Sequence, residues 1–286
     1  MAASLSRDQQ KTKGFTLVEL LVVIGIIALL ISILLPSLSK ARQSANSIKC
    51  AANLRSMGQA LVMYVNQSRY YPGCAGAKDG GSYPKDAFNV WAPRLRYFMD
   101  GNQKAFKCPS ADESFDWTIA NTKSLRVANT NDTGWGYDVG ENILEESGIQ
   151  FSYGYNDWGS IGGPTAPPYL SLGLGPDLWT AAKKYGGGEV NASTVVRSAD
   201  MIAITDVVAY APLPGRWLAN VDPTNPVEAP GDLHTGGSNV LFCDGHVVRM
   251  LKEDISLFDL KTGKSLPAGF QRNRIAQLWN NDNQAH

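Results

Sequence analysis

The sequence predicts an α+β chain in which a long amino-terminal helix packs on an antiparallel β-sheet head with long loops. Three observations predict it. Residues 15–38 form an apolar run whose only ionisable side chain is Glu19. The amphipathic stretch that follows carries no break signal before Tyr71-Pro72-Gly73. The remainder is rich in Gly, Pro, Trp and Tyr, a composition of strands and turns rather than of a helical bundle.

The apolar run has 24 residues, and at ~1.5 Å per residue a helix of that length crosses a ~30 Å hydrocarbon core. Residues 15–38 are therefore expected to span the membrane. A secretory signal would end its shorter apolar stretch at a small-residue cleavage site, and no A-x-A pattern follows Leu35. Upstream lie Arg7, Lys11 and Lys13 against the single acid Asp8, a basic flank that the positive-inside rule holds in the cytoplasm. The bulk of the chain is then expected outside it.

Beyond the span, Leu38, Ala41, Ala45, Ile48 and Ala52 recur at spacings of three and four, and Leu54, Met57, Leu61, Tyr64 and Val65 extend that period. The helix is expected to continue to about residue 67, with residues 39–71 an amphipathic stem whose stripe packs on the head. Pro36 removes one backbone hydrogen bond and should bend the helix without ending it. The head is assigned to residues 72–286. Within it, "VWAPRLRYFMD" reads as a short helix or turn, "FKCPS" as a strand end entering a Cys-Pro turn, and "MIAIT" (201–205) as a strand with Asp206 at its exit. In "HTGGSNVLFCDGHVVRM" (234–250), two strand-like runs flank Asp244-Gly245, a strong hairpin turn because Gly and Asp tolerate positive φ. The strand and the hairpin can share one antiparallel sheet.

Glu19 needs an explanation. A carboxylate at mid-span costs roughly 2.5–3.5 kcal/mol, less near the interface, and usually has a partner. A cut between Gly14 and Phe15 would place a new α-amino group about one helical turn from Glu19, in the same subunit or a neighbour. The stretch Gly14-Phe15-Thr16-Leu17-Val18-Glu19, preceded by a basic leader and followed by the apolar helix, resembles the processing site of type IV prepilins and type II secretion pseudopilins. The resemblance implies a pilin-like fold, a leader of residues 1–14, cleavage after Gly14 by prepilin peptidase and N-methylation of Phe15. It also implies that Glu19 registers a subunit on its neighbour's amino terminus, and Pro36 falls where many pilins have a helix-bending proline. "KCAANLRSMGQALVMYVNQSRYYP", "FKCPS" and "SYGYN" are similar to the large-headed pseudopilin-like proteins of planctomycetes. His234, nine residues and then Asp244-Gly245 resemble the processing-associated signature of that group.

The chain balances 26 Lys and Arg against 26 Asp and Glu, and the leader holds three of the bases and one of the acids. A slightly acidic mature chain offers no basic stripe for nucleic acid. Cys50, Cys74, Cys108 and Cys243 permit two disulfides in three connectivities outside the cytoplasm, or free buried thiols, and no C-x-x-C pair suggests zinc. His234, Asp244, His246, Asp206 and Asp232 invite a metal or acid–base reading. A His hydrogen-bonded to backbone, pinning the loop, is the preferred one. Ser160 and Ser238 lack the G-x-S-x-G context of a hydrolase nucleophile, so no enzyme is expected. No cofactor is expected, with calcium the one candidate at Asn131, Asp132, Asp138 and Glu141. The aromatic clusters "FSYGYNDWGS" and "PDLWTAAKKYGGG" read as core first and as a sugar-binding face second.

Two functions follow. The first is a pilus or secretion pseudopilus subunit of the inner membrane, with prepilin peptidase and other pilin or pseudopilin subunits as partners. The second is an anchored extracytoplasmic module that binds a glycan or peptide.

Overall fold

The protein is described by a computed structural model covering residues 16–77, 87–111, 117, 124–144, 151–156, 158, 172–175, 189–207, 220–224, 226 and 229–284. It divides into two units, residues 1–42 and 43–286. Helix α1, Leu17–Ser68, begins in the first and ends in the second, and it runs on through Pro36. It stops where Arg69 turns to φ 69°, the left-handed conformation that ends many helices, and the Arg69 N–H still reaches the Val65 carbonyl at 2.8 Å. The expected end at about residue 67 agrees with this.

In the first unit every residue from Leu17 to Arg42 is exposed.

In the second unit the short elements β1 (Ala75–Ala77), β2 (Ala87–Asn89) and α2 (Trp91–Tyr97) precede β3 (Ser124–Val127) and β4 (Asn142–Leu144). The main sheet is built from β5 (Tyr153–Asn156), β6 (Ile202–Asp206), β7 (Asn220–Val221), β8 (Gly237–Phe242) and β9 (Val247–Leu251), and helix α3 (Phe270–Gln277) follows it. The sheet order is β7-β5-β6-β8-β9. Its pairs are antiparallel except for the two residues of β7, which run parallel to β5. The predicted hairpin forms with Leu241 opposite Val247 and Gly245 at φ 94°. The predicted strand 201–205 is β6, beside β8 as expected. "FKCPS" differs, because residues Gln103–Phe106 form a 3-10 turn and not a strand.

The run "VLF" in β8 is apolar on successive residues because both sheet faces are covered. Leu241 joins the core shared with α1, whereas Val240 and Phe242 join a second core with Ile255, Leu257, Ile275 and Trp279. Cys50, Leu54, Met57 and Leu61, spaced by four, three and four, form the buried edge of α1. Leu54, Met57 and Leu61 match the expected stripe. Leu38, Ala41, Ala45, Ile48 and Ala52 do not, since all five are exposed. The period of the pattern is right, but the head covers the helix only from about residue 50.

Gly58 explains how closely that helix docks. A Cβ there would lie 2.7 Å from Leu241 Cδ1 and 3.0 Å from the Gly245 carbonyl oxygen. Backbone therefore meets backbone where α1 crosses the β8–β9 turn. A helical Gly sacrifices about 1 kcal/mol of helix propensity. Gly58→Leu should recover that and still lose overall, because the Gly245 carbonyl cannot move aside and overpacking costs about 1–3 kcal/mol. A lower melting temperature in detergent is the expected result, and an unchanged or higher one would contradict the docking described.

Candidate functional site

The start of α1 is a reciprocal cap. The Glu19 carboxylate accepts from the Thr16 N–H at 2.9 Å and from Thr16 Oγ1 at 2.8 Å, while Thr16 Oγ1 accepts from the Glu19 N–H at 3.2 Å. This is the S/T-x-x-E capping box, which satisfies otherwise orphaned amides at a helix start. Thr16 was legible from the T-x-x-E spacing yet is absent from the residues singled out above. Glu19 thus has a local partner one residue from Phe15. Gly14 and Phe15 themselves lie outside the described residues.

A second constellation is buried in the head. Asp206, at the end of β6, is fully buried. Its Oδ1 accepts from Ser238 Oγ, and its Oδ2 accepts from the Asn239 N–H at 3.1 Å. The same Oδ2 lies 3.1 Å from His234 Nε2 and accepts from the Cys50 thiol at 3.7 Å. Cys108 Sγ lies 3.4 Å from His234 Nε2, and Tyr153 donates its hydroxyl to Cys50 Sγ at 3.4 Å. His234 Nδ1 has no hydrogen-bond partner among the described residues, so the ring makes its polar contacts through Nε2.

The loop before β8 aims that ring. Thr235 and Gly236 both have positive φ, 57° and 75°, and the N–H groups of His234 and Gly237 bond each other's carbonyls. A β-branched residue in that region is costly. Arg249 compensates by donating from Nε and Nη2 to the His234 carbonyl at 3.1 and 2.7 Å, and from Nη2 to that of Thr235 at 2.8 Å. The Arg249 guanidinium therefore pins this loop, a role expected of a histidine bonded to backbone.

The electrostatics follow from burial. Burial pulls the His234 imidazole down, but its bonds to Asp206 and Cys50 outweigh this and raise it to about 9. The contact with Cys108 and then burial push the Cys50 thiol up. Burial does the same to Tyr153 and Cys243.

Other expected residues do not join this cluster. Asp244 and His246 pair with each other on the surface turn, Oδ1 to Nδ1 at 2.6 Å, with the ring stacked on Phe242. Asp232 is exposed. All four cysteines are buried and free, one of the two alternatives the sequence allows: Cys50 and Cys108 face Asp206 and His234, and Cys243 faces Tyr71. Of the calcium candidates, Glu141 gives both carboxylate oxygens to Arg96, with Nη2 at 2.6 Å from Oε2. Asp138 and Asn131 are exposed, and the side chain of Asp132 lies outside the described residues. Phe151, Tyr153, Tyr155 and Trp158 are core, with Trp91 stacked on Tyr155 at 5.6 Å. "PDLWTAAKKYGGG" lies outside the described residues.

Residues 9–35 match the prokaryotic N-terminal methylation motif. The chain is 28% identical over 138 residues to type II secretion system core protein G of Escherichia coli, covering 46% of this chain and 95% of that relative. It is 42% identical over 62 residues to the type IV wide pilus major component PilA4 of Thermus thermophilus, covering 22% of this chain and 47% of the relative. No solved structure matches. With the methylation motif, the apolar amino-terminal helix and the antiparallel sheet against which that helix packs, the chain has a pilin-like α+β fold.

Proposed function

We propose that this chain is a prepilin-type structural subunit, cleaved after Gly14 by prepilin peptidase, N-methylated at Phe15 and assembled through α1 into a type IV pilus-like or type II secretion pseudopilus filament. The observation that carries the proposal is the methylation motif over residues 9–35, followed at once by a helix whose apolar side chains stay exposed. The relatives named above point the same way, because one is a core component of a secretion system and the other a pilus component. The basic leader holds the amino terminus in the cytoplasm, and the inner membrane holds residues 15–38 before assembly. The head is extracytoplasmic.

Assembly has a physical driving force in this helix. Spans gain nothing hydrophobic by leaving lipid for one another, so packing and polar pairing must hold them together. The exposed Leu38, Ala41, Ala45, Ile48 and Ala52 extend the apolar face beyond the span, onto surface that the head leaves uncovered. Glu19 supplies the polar contact by meeting the methylated amino terminus of a neighbour.

Gly14→Asp should leave an uncleaved, membrane-bound precursor, read as a slower band on an immunoblot of membranes. Persistent cleavage would place the processing site elsewhere. Glu19→Ala should be inserted and cleaved yet fail to enter sheared filaments. The capping box separates two causes of that failure, since Gln at the same position can cap the helix but carries no charge. Glu19→Gln is expected to fail as Ala does; normal incorporation of the Gln variant would reduce Glu19 to a helix cap.

A further inference from the structure

We propose that Cys50, Cys108 and His234 bind a zinc ion inside the head, with the Asp206 carboxylate beside them. The three donors come from α1, from the turn after the 103–106 segment and from the loop before β8, Asp206 ends β6, and all four residues are buried. Cys50 Sγ, Cys108 Sγ and a His234 ring nitrogen lie within 4.8 Å of one another. With zinc–sulfur bonds of about 2.3 Å and zinc–nitrogen and zinc–oxygen bonds of about 2.0–2.1 Å, a tetrahedron has donor-to-donor edges of roughly 3.3–3.8 Å. Cys108 Sγ to His234 Nε2, at 3.4 Å, already falls in that range, and the Asp206 carboxylate adjoins the same group, its Oδ2 3.1 Å from His234 Nε2 and 3.7 Å from Cys50 Sγ. Two thiols and a ring nitrogen can therefore meet one ion.

The surroundings suit a metal. Ser238 Oγ and the Asn239 N–H orient the carboxylate, and the Tyr153 hydroxyl donates to Cys50 Sγ, as outer partners do around metal ligands. Two thiols, an imidazole and a carboxylate make a donor set for zinc rather than for calcium or magnesium, which take oxygen ligands. The three donors and the adjoining carboxylate are all buried, so protein encloses the ion as in a structural site. On binding, each thiol releases its proton as its sulfur–zinc bond forms, and no electron is transferred. The ion then ties residues 50, 108 and 234 together, and coordination keeps the two thiols reduced in a compartment where thiols oxidise.

Full-length protein isolated in detergent without reductant tests this independently of filament assembly. Elemental analysis is expected to find one zinc per chain, with Cys50 and Cys108 alkylated as free thiols only after the metal is chelated. A Cys50–Cys108 disulfide and no zinc would overturn the proposal. Cobalt added to the chelated, reduced wild-type chain should give a thiolate charge-transfer band and a tetrahedral visible spectrum, both displaced by zinc. A wild-type chain that takes up no cobalt, or takes it up without the thiolate band, would equally overturn it. Cys108→Ser should weaken zinc binding more than about 100-fold. His246→Ala, on the surface pair, should leave binding unchanged, and its loss would move the metal to that pair and away from the cluster.

Discussion

The approach of α1 to the β8–β9 hairpin is the contact on which the rest of the head depends. It brings Gly58 against Leu241 and the Gly245 carbonyl, and it sets the depth at which Cys50, Leu54, Met57 and Leu61 enter the core. Large side chains on either backbone would lift the helix off the sheet. Two glycines are needed for different reasons: Gly58 for the space that its missing Cβ leaves, and Gly245 for its φ of 94°. The hairpin is thus a docking platform for the helix. The Asp-Gly turn, conspicuous as local turn chemistry, also has a long-range task.

The same docking carries Cys50 to the polar cluster. Cys50 lies on the buried edge of the helix, one turn before Leu54, so its thiol reaches Asp206 as a consequence of the packing that buries Leu54 and Met57. A fully buried carboxylate is expensive unless its charge is met and its oxygens are hydrogen-bonded. Ser238, Asn239 and His234 meet those needs, and each sits in or just before β8. Strand β8 therefore both packs the helix and satisfies the acid on its neighbour β6.

Much of the architecture was legible in the sequence because it rests on periodicity and local turn chemistry. The apolar amino-terminal helix, its continuation past Pro36, the β6 strand and the Asp244-Gly245 hairpin all follow from patterns within a few residues. The extent of helix burial was not legible, since Ile48 and Leu54 have the same apolar character and only the size of the head decides which is covered. The candidate cluster was legible only in part: His234 and Asp206 were read together, but nothing joined the thiols of Cys50 and Cys108 to them. These four residues are separated by up to 184 positions in sequence (50 to 234), no short motif links them, and the spacing of His234 to Asp244 pointed to a carboxylate that pairs with His246 instead. Among the calcium candidates, Arg96, from a different element, takes both oxygens of Glu141, a pairing that local spacing could not show. Long-range pairing decides such sites, and local spacing does not report it.

At the other end of α1 the carboxylate that looked out of place in an apolar helix is engaged by Thr16, in a cap that needs no second chain. Glu19 lies four residues after the proposed new amino terminus at Phe15, so one local motif can serve both the start of the helix and the proposed subunit contact. The central claim is that this amino terminus exists. Intact mass and amino-terminal sequencing of the chain from its native membrane test it most directly. A mature chain beginning at N-methyl-Phe15 is the expected result, and a chain that retains Met1 or is cut elsewhere would contradict it.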